Sequence, residues 1–246
     1  MPRIPLLYVG TVGSTMNEAR DRLISGDFEP PFAVVANEQT DGRGRLDRLW
    51  QSPAGDGLYL TLVTTTAIEP QAFGLIAIAA GVAVCESLEK IGVSARLKWP
   101  NDLYIEDRKL GGILIQTLAG AATMVLTGLG LNLNRSDRFG PNAISVGEIL
   151  TAPPEQATLA ESLCDAIMTQ LIRLEAPPDS VVHDWTARAL WIGQRVEILA
   201  PEVVSGRLRG IDSFGRALIE TQSGTVAVAS GDLKRGPRPI APPYTC

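Results

Sequence analysis

The sequence has little histidine, little cysteine and no excess of positive charge, and each shortage argues against a class of function. His183 is the one histidine in 246 residues, which disfavours both a zinc site and a histidine-based catalytic triad. Cys85, Cys164 and Cys246 are far apart, odd in number and without a CxxC or metal-binding spacing. This pattern is typical of a reduced, intracellular protein. The formal net charge of −5 argues against a general nucleic-acid-binding protein, which would be basic.

The chain also lacks a long hydrophobic run and a signal peptide. Its most apolar stretch, residues 72–85, is too short to cross a bilayer and continues into charged residues, so we predict a buried helix there. Residues 1–10 contain two prolines and have neither the charged start nor the cleavage site of a signal peptide. The sequence therefore predicts a cytoplasmic protein with no membrane partner.

Local patterns divide the chain into a large part and a small part. Apolar or alternating runs predict strands at 32–37, 58–65, 95–99, 112–118 and 124–133. Helical patterns begin at Ser14 or Thr15 and cover 72–91, 159–174 and 185–191. From Arg195 the chain reads as short strands separated by Gly, Ser and Asp turns, which is typical of a small β-barrel of SH3 type.

These patterns predict an α+β fold with two domains. A domain over residues 1–190 is expected to hold a mixed β-sheet with helices packed on one side. An SH3-like domain is expected over 191–236. A proline-rich tail, over 237–246, cannot form a hydrogen-bonded strand ladder.

The stretch DGRGRLDRLW, residues 41–50, is here called the arginine loop. It carries Arg43, Arg45 and Arg48, whose planar guanidinium groups suit phosphate or carboxylate. Its glycines allow a ligand to approach the backbone closely. Taken alone, however, the stretch is more typical of a solvated basic turn.

A second stretch, RLKWPNDLYIEDRKLGGIL at residues 96–114, places short polar side chains in a turn and a lysine beside a glycine pair. Asn101 and Asp102 follow a proline that forces an extended turn, and Lys109 precedes the glycines. Because glycines have no side chain, a lysine beside them can reach an anion without steric interference. Lys98, Asp102 and Lys109 would equally suit surface ion pairs of a simple hairpin, so spacing alone leaves both interpretations open.

Two further stretches are polar in a similar way. In TGLGLNLN, residues 127–134, the glycines weaken an apolar strand unless a ligand or helix lies close, and Asn132 needs a polar partner. In GSTMNEAR, residues 13–20, Ser14 and Thr15 offer hydroxyl groups at a helix start. Capping is the commoner use of such hydroxyls, and a strand-ending turn is the simpler explanation of the asparagines.

Together and in this order, the motifs STMNEAR, NEQTDGRGR with Trp50, KWPNDLYIEDRKLGGIL and GLGLNLN closely resemble the biotin protein ligases. The resemblance runs from about Tyr8 to Asn134 and continues more weakly to about Arg235. It implies a short form without an N-terminal DNA-binding domain. It also implies a ligase that uses ATP to convert biotin into biotinyl-5′-AMP and transfers biotin to one lysine of a carrier domain of a biotin-dependent carboxylase.

The resemblance further implies roles for individual residues. The residues it implies as catalytic are Arg45, Asp102 and Lys109. The residues it implies for biotin binding are Ser14, Thr15, Gln39, Gly42, Arg43, Lys109, Gly111 and Gly112. The residues it implies for binding ATP and the adenylate are Arg43, Arg45, Arg48, Trp50, Asn101, Lys109 and Asn132. Mg²⁺ is expected to arrive with ATP without a protein metal site; no nucleic acid is expected, and a homodimer is compatible with the family.

One position departs from the family pattern, and two other functions remain open. Asp47 stands where the family usually has glycine, which places a carboxylate beside the arginines and puts retention of the adenylate in doubt. A lipoate or octanoate ligase of the same fold is one alternative, although its RRxSGGG-type stretch is absent. A catalytically silent biotin-binding protein is the other, and the retained Arg45, Asp102 and Lys109 argue against it.

Overall fold

The computed structural model describes residues 3–120 and 122–236, so the predicted tail at 237–246 lies outside the described residues. The large sheet contains seven strands, β1 (Leu6–Val12), β2 (Phe32–Gln39), β3 (Gly57–Thr66), β4 (Arg96–Lys98), β5 (Asp102–Ile105), β6 (Arg108–Leu118) and β7 (Thr123–Asn132). Their order is β1-β2-β3-β7-β6-β5-β4. The β1–β2 pair is parallel and the other pairs are antiparallel, so the sheet is mixed.

Helices cover both faces of this sheet. They are α1 (Thr15–Ser25), α2 (Gly74–Glu89), α3 (Gln156–Arg173) and α4 (Asp179–Arg188). α2 and α3 share one core with Val35 and Leu60, whereas Met16 of α1 packs with Val34 and Val63 in a second cluster. Because successive side chains of a strand point to opposite faces, α1 lies on the face opposite α2 and α3. The prediction that the helices pack on one side of the sheet therefore holds for α2 and α3. It does not hold for α1, which covers part of the other face.

The predicted apolar helix at 72–91 is α2, which is apolar on nearly every side because its neighbours bury it almost completely. In the described part of the chain, no helix combines the length and the apolar character that crossing a membrane requires. Cys85 of α2 and Cys164 of α3 are free and fully buried. Burial raises the pKa of each thiol to about 12, so neither is an available thiolate at neutral pH.

A small sheet follows the helices. Its strands are β8 (Arg195–Leu199), β9 (Val204–Ile211), β10 (Ala217–Thr221), β11 (Gly224–Val228) and β12 (Asp232–Arg235). They are antiparallel and lie in the order β11-β10-β9-β8-β12. The predicted fold class, a mixed sheet with helices followed by a small C-terminal β-structure, is confirmed.

Some elements differ from the sequence prediction. Strands β1, β5 and β12 were not expected, because each is short or lies at an edge and carries no strong alternation. The helix predicted at 185–191 runs instead over Asp179–Arg188. It begins after a proline, which suits the start of a helix, and ends because Ala189 and Leu190 pair with Leu97 of β4.

The two sheets share one hydrophobic core. A single cluster of buried residues extends from Leu60 of the large sheet to Ile219 of the small sheet. Trp99, only 1% exposed, lies at the junction, and its indole Nε1 donates a 3.0 Å hydrogen bond to the carbonyl of Gly215. The turn after β4 is therefore fixed to the small sheet.

Leu62 provides a test of this arrangement. It lies in β3 with no exposed surface, so Leu62→Ala should leave a cavity and lower the free energy of unfolding by about 2–5 kcal/mol. Denaturant unfolding measures this change. Val203→Ala, at a position that is 61% exposed, is the matched control and should stay within about 0.5 kcal/mol. Equal losses in the two variants would contradict the central position of β3.

Candidate active site

A cavity of about 150 Å³ opens on the α1 face of the large sheet, and we call it the first cavity. Eleven of the residues expected at a site line it: Ser14, Thr15, Gln39, Arg43, Arg45, Arg48, Trp50, Asn101, Asp102, Lys109 and Gly112. They come from the start of α1, the end of β2, the arginine loop and the β4–β6 region. Four separate stretches of sequence thus converge on one place.

One end of the first cavity is a connected set of polar side chains. The Gln39 side-chain oxygen accepts hydrogen bonds from the Thr15 backbone N–H at 2.8 Å and from the Thr15 hydroxyl at 3.0 Å. The Gln39 amide nitrogen donates to the Ser52 hydroxyl at 2.8 Å, and the Thr61 hydroxyl donates to that of Thr15 at 2.9 Å. Ser14 also caps α1, since its hydroxyl accepts from the Met16 N–H at 3.2 Å. This end is rigid and can present fixed hydrogen-bonding groups to a ligand.

Thr61 was missed by the sequence analysis. It is completely buried in β3, lines the first cavity and points to the α1 face. The available signal was a lone threonine within the apolar run at 58–63. Such a residue needs a polar partner when buried, and Thr15 supplies it.

The floor of the first cavity is open because it contains glycines. A Cβ added at Gly128 would lie 2.8 Å from the Met16 methyl group, and one added at Gly130 would clash with the indole of Trp50. The Trp50 Nε1 is buried and has no hydrogen-bond partner among residues 3–120 and 122–236. A buried unpaired donor is unfavourable, so this N–H is available to an acceptor that enters the cavity.

A β-bulge brings Lys109 and Gly112 to the same side. Residues three apart on a regular strand face opposite sides, but the pairing of β5 with β6 shifts between Leu103 and Tyr104. Both Lys109 and Gly112 consequently line the first cavity. Without this shift, Lys109 and Gly112 would face opposite sides of the sheet and could not contact the same ligand.

Three expected site residues do not line the first cavity. Gly111 faces the core, where a Cβ would lie 3.1 Å from Leu103 Cδ1 and 2.7 Å from the Gly130 carbonyl oxygen. Gly42 packs inside the arginine loop, where a Cβ would lie 2.5 Å from the Trp50 carbonyl oxygen. Both glycines are required for close backbone packing rather than for contact with this cavity. The third, Asn132, lines a different cavity.

This second cavity has a volume of about 420 Å³ and adjoins the first. It is lined by Leu49, Trp50, Gln51, Lys109, Asn132 and residues 139–143. The Asn132 amide nitrogen is already engaged, since it donates to the carbonyls of Ile144 at 3.0 Å and Lys109 at 3.3 Å. Leu49, Trp50 and Lys109 line both cavities, so Lys109 stands at the boundary between them.

Lys109 and Lys98 share one carboxylate at the centre of the site. Asp102 Oδ1 lies 2.7 Å from the Lys109 Nζ, and Asp102 Oδ2 lies 4.0 Å from the Lys98 Nζ. The simple ion pairs that spacing alone suggested therefore exist. They lie half-buried beside a cavity, however, and not on an open surface.

The arginine loop is held by the small sheet. The half-buried Arg45 donates from Nη1 to the Asn101 side-chain oxygen and to the Gly231 carbonyl, both at 3.3 Å, and burial lowers the pKa of its guanidinium. Arg48 forms an ion pair with Asp232, and the hydrogen bond from Arg48 holds the pKa of Asp232 below its usual value. Gly231 and Asp232 were also missed, since nothing in the sequence links β12 to this loop.

The departure at Asp47 has a backbone explanation. Leu46 and Asp47 have φ values of 56° and 54°, in the left-handed region where glycine is favoured and Asp is tolerated better than most residues. Arg48 pairs with Asp232 and not with Asp47. Arg43 points away from the others, towards Asp41 at 2.8 Å.

The chain resembles proteins of known activity in sequence and in structure. Residues 9–132 match the Biotin/lipoate A/B protein ligase family, and residues 191–233 match the Biotin protein ligase C terminal domain. A biotin–[acetyl-CoA-carboxylase] ligase of Mycobacterium tuberculosis is 32% identical over 92% of this chain and 86% of its own length. The bifunctional ligase/repressor BirA of Escherichia coli is 32% identical over 85% of this chain and 67% of its own length.

Solved structures agree with this relationship. The biotin protein ligase from Aquifex aeolicus in complex with biotin and ATP is 28% identical, with a TM-score of 0.80 over 94% of this chain and 99% of that chain. Family match, sequence similarity and fold therefore all lead to the same result: the chain belongs to the Biotin/lipoate A/B protein ligase family, among the biotin protein ligases.

Proposed function

We propose that this protein converts biotin and ATP into biotinyl-5′-AMP and transfers the biotinyl group to a lysine of a carrier domain of a biotin-dependent carboxylase. The observation that carries the proposal is the position of Lys109, a cation at the boundary of two cavities. One cavity suits biotin and the other suits a nucleotide. The bond between the biotin carboxylate and the α-phosphorus of ATP has to form where both ligands place negative charge.

The first cavity has the chemistry that biotin requires. Ser14, Thr15 and Gln39 would hydrogen-bond the ureido group, and Gly128 leaves room for the ring. These polar groups are already positioned by one another, which reduces the ordering that binding requires. A site of this kind rejects acids without a ureido group, because its buried polar groups would lose partners.

In the activation step, an oxygen of the biotin carboxylate attacks the α-phosphorus of ATP and pyrophosphate leaves. Lys109 would stabilise the charge shared by the carboxylate and the phosphate. A cation about 4 Å from that charge contributes on the order of 4 kcal/mol at an effective dielectric of 20, before desolvation. Arg45 would hold the phosphate, and the enzyme supplies no nucleophile.

The other nucleotide contacts fit the same picture. Arg43 and Arg48 are exposed on the arginine loop and can turn towards phosphates, and Asn101 lines the same cavity. Trp50 and Asn132 border the second cavity, which would hold the rest of the nucleotide. Gly42 and Gly111 would act indirectly, through the close backbone packing that they permit.

Mg²⁺ would enter with ATP. Among the described residues, the carboxylates lining the first cavity are Asp102 and Asp232, and each is paired with a cation. The donors present thus fit an ion bound mainly by phosphates and water. When bound, the ion neutralises phosphate charge.

In the transfer step, the amine of the carrier lysine attacks the acyl carbon of the adenylate, and AMP leaves. Asp102 would receive and orient that amine and accept its proton. We assign these steps to a catalytic domain over residues 1–190, completed by a C-terminal domain over 191–236. The carrier domain as partner, a homodimer and a cytoplasmic location stay predictions.

Pyrophosphate release with ATP and Mg²⁺ tests the proposal, with biotin, lipoate or octanoate supplied in turn. Release with biotin alone is the expected result. Release with lipoate or octanoate would instead favour the related ligases. Calorimetric binding of biotin without release would favour a catalytically silent biotin-binding protein.

Lys109→Ala should abolish adenylate formation and leave biotin binding largely intact, because the lysine serves the reacting charge and not the ureido group. Pyrophosphate release and calorimetry measure the two effects separately. Lys90→Ala removes an exposed lysine beyond α2 and is the matched control. Normal turnover of Lys109→Ala would remove the lysine from the mechanism.

Arg45→Gly should speed the release of biotinyl-5′-AMP, because it removes a half-buried cation and its contacts with Asn101 and Gly231. Retention of the adenylate is followed by gel filtration of enzyme loaded with labelled biotin. The exposed Arg3 provides a control, Arg3→Gly. Unchanged retention in Arg45→Gly would refute the role of the arginine loop.

Thr61→Val should weaken biotin binding by about threefold to tenfold, the usual worth of one hydrogen bond, because Thr15 would lose a donor. The change conserves side-chain shape, so circular dichroism should remain as in the natural protein. Calorimetry measures the affinity. An unchanged affinity would show that Thr15 needs no support from β3.

A further inference from the structure

Lys98 has no part in the steps above, yet it faces the catalytic carboxylate. Lys98 and Asp102 are partners across the β4–β5 pair, on either side of the turn at 99–101. Its Nζ lies 4.0 Å from Asp102 Oδ2, while the Lys109 Nζ lies 2.7 Å from Oδ1. One carboxylate is thus shared by two lysines, each on a different oxygen.

The two lysines are held differently. The Lys98 Nζ lies 5.2 Å from the ring centre of Tyr104 and 5.8 Å from that of Trp191, and its side chain is only 18% exposed. Aromatic faces attract a cation, so the rings hold Lys98 in place. Lys109 has one ring beside it, that of Trp50, whose centre lies 5.2 Å from the Lys109 Nζ, but its side chain is 33% exposed and lines both cavities. Lys98 is therefore a fixed cation, whereas Lys109 can reach a ligand.

Burial makes a charged Lys98 unfavourable at this position. Burial lowers the pKa of its ammonium group, and the neighbouring Lys109 and Arg48 lower it further. Asp102 and Asp232 oppose the change. A neutral residue would avoid this unfavourable burial, so a structural role alone does not account for a lysine between two aromatic rings.

The proposed reaction makes conflicting demands on Lys109. It is paired with Asp102 in this structure, and activation requires it at the biotin carboxylate and the phosphate. As long as Asp102 attracts Lys109, the ligand competes for that cation. A second cation fixed on the carboxylate weakens this attraction, because it neutralises part of the negative charge and repels the Lys109 ammonium.

We propose that Lys98 is a positioning residue that holds Asp102 and shares its charge, so that Lys109 is free to move to the reacting anions. This inference rests on the proposed function and adds a residue to its first step. Lys98 touches no reacting atom. It acts through Asp102 on Lys109.

A double-mutant cycle tests the inference, with biotin-dependent exchange of pyrophosphate into ATP as the measure of activation. Lys98→Met keeps the apolar stem between the rings and removes the charge. It should slow exchange by about tenfold, within the range of coupling between contacting residues. The same change in an Asp102→Asn background should alter exchange by less than about twofold, because the amide does not hold Lys109.

Rescue separates charge from packing. Lys98→Arg retains a cation beside Asp102 and should keep exchange within about threefold of the natural protein, whereas Lys98→Met does not. Calorimetric affinity for biotin should be unchanged in Lys98→Met, since the first cavity is intact. This readout also confirms that the variant is folded.

Three outcomes would overturn the inference. One is an equal loss from Lys98→Met in the natural and Asp102→Asn backgrounds, which would show that the lysine does not act through the carboxylate. The second is full exchange in Lys98→Met. The third is an absence of biotin-dependent exchange in the natural protein, which would overturn the proposed function as well and so differs from the first two.

Discussion

The hydrogen bond from the buried Trp99 indole to the Gly215 carbonyl fixes the turn on which the site depends. Two residues further on, the Asn101 amide nitrogen donates to the Ile113 carbonyl at 2.6 Å, and its oxygen accepts from Arg45. Asp102 follows and pairs with Lys109. One short turn therefore joins the small sheet, β6, the arginine loop and Lys109.

The site is built from ion pairs that a ligand can exchange. Lys109 is paired with Asp102, Arg48 with Asp232 and Arg43 with Asp41. A chain with a formal net charge of −5 thus presents several cations in one place without leaving them unpaired. An incoming carboxylate or phosphate replaces an existing partner, so each of these cations has an anionic partner both before and after the ligand binds.

The sequence predicted the elements whose signals are local. β2, β3, β7 and α2 are long and apolar, so periodicity was sufficient to find them, and the arginine loop was visible in its composition. The contact of Arg48 with Asp232 joins positions 184 residues apart, and no local pattern encodes it. The shift in the pairing of β5 with β6 between Leu103 and Tyr104 was equally invisible, and it brings Lys109 to the same side of β6 as Gly112.

The core that both sheets share links their folding. Because Trp99, Ile198 and Ile219 belong to one cluster, exposing the inner face of the small sheet would also expose that of the large sheet. The two parts are then expected to melt cooperatively, in a single transition. The small sheet would have no stable folded form of its own when separated. Nor would a partly unfolded enzyme accumulate in which the biotin cavity persists and the arginine loop has lost its support.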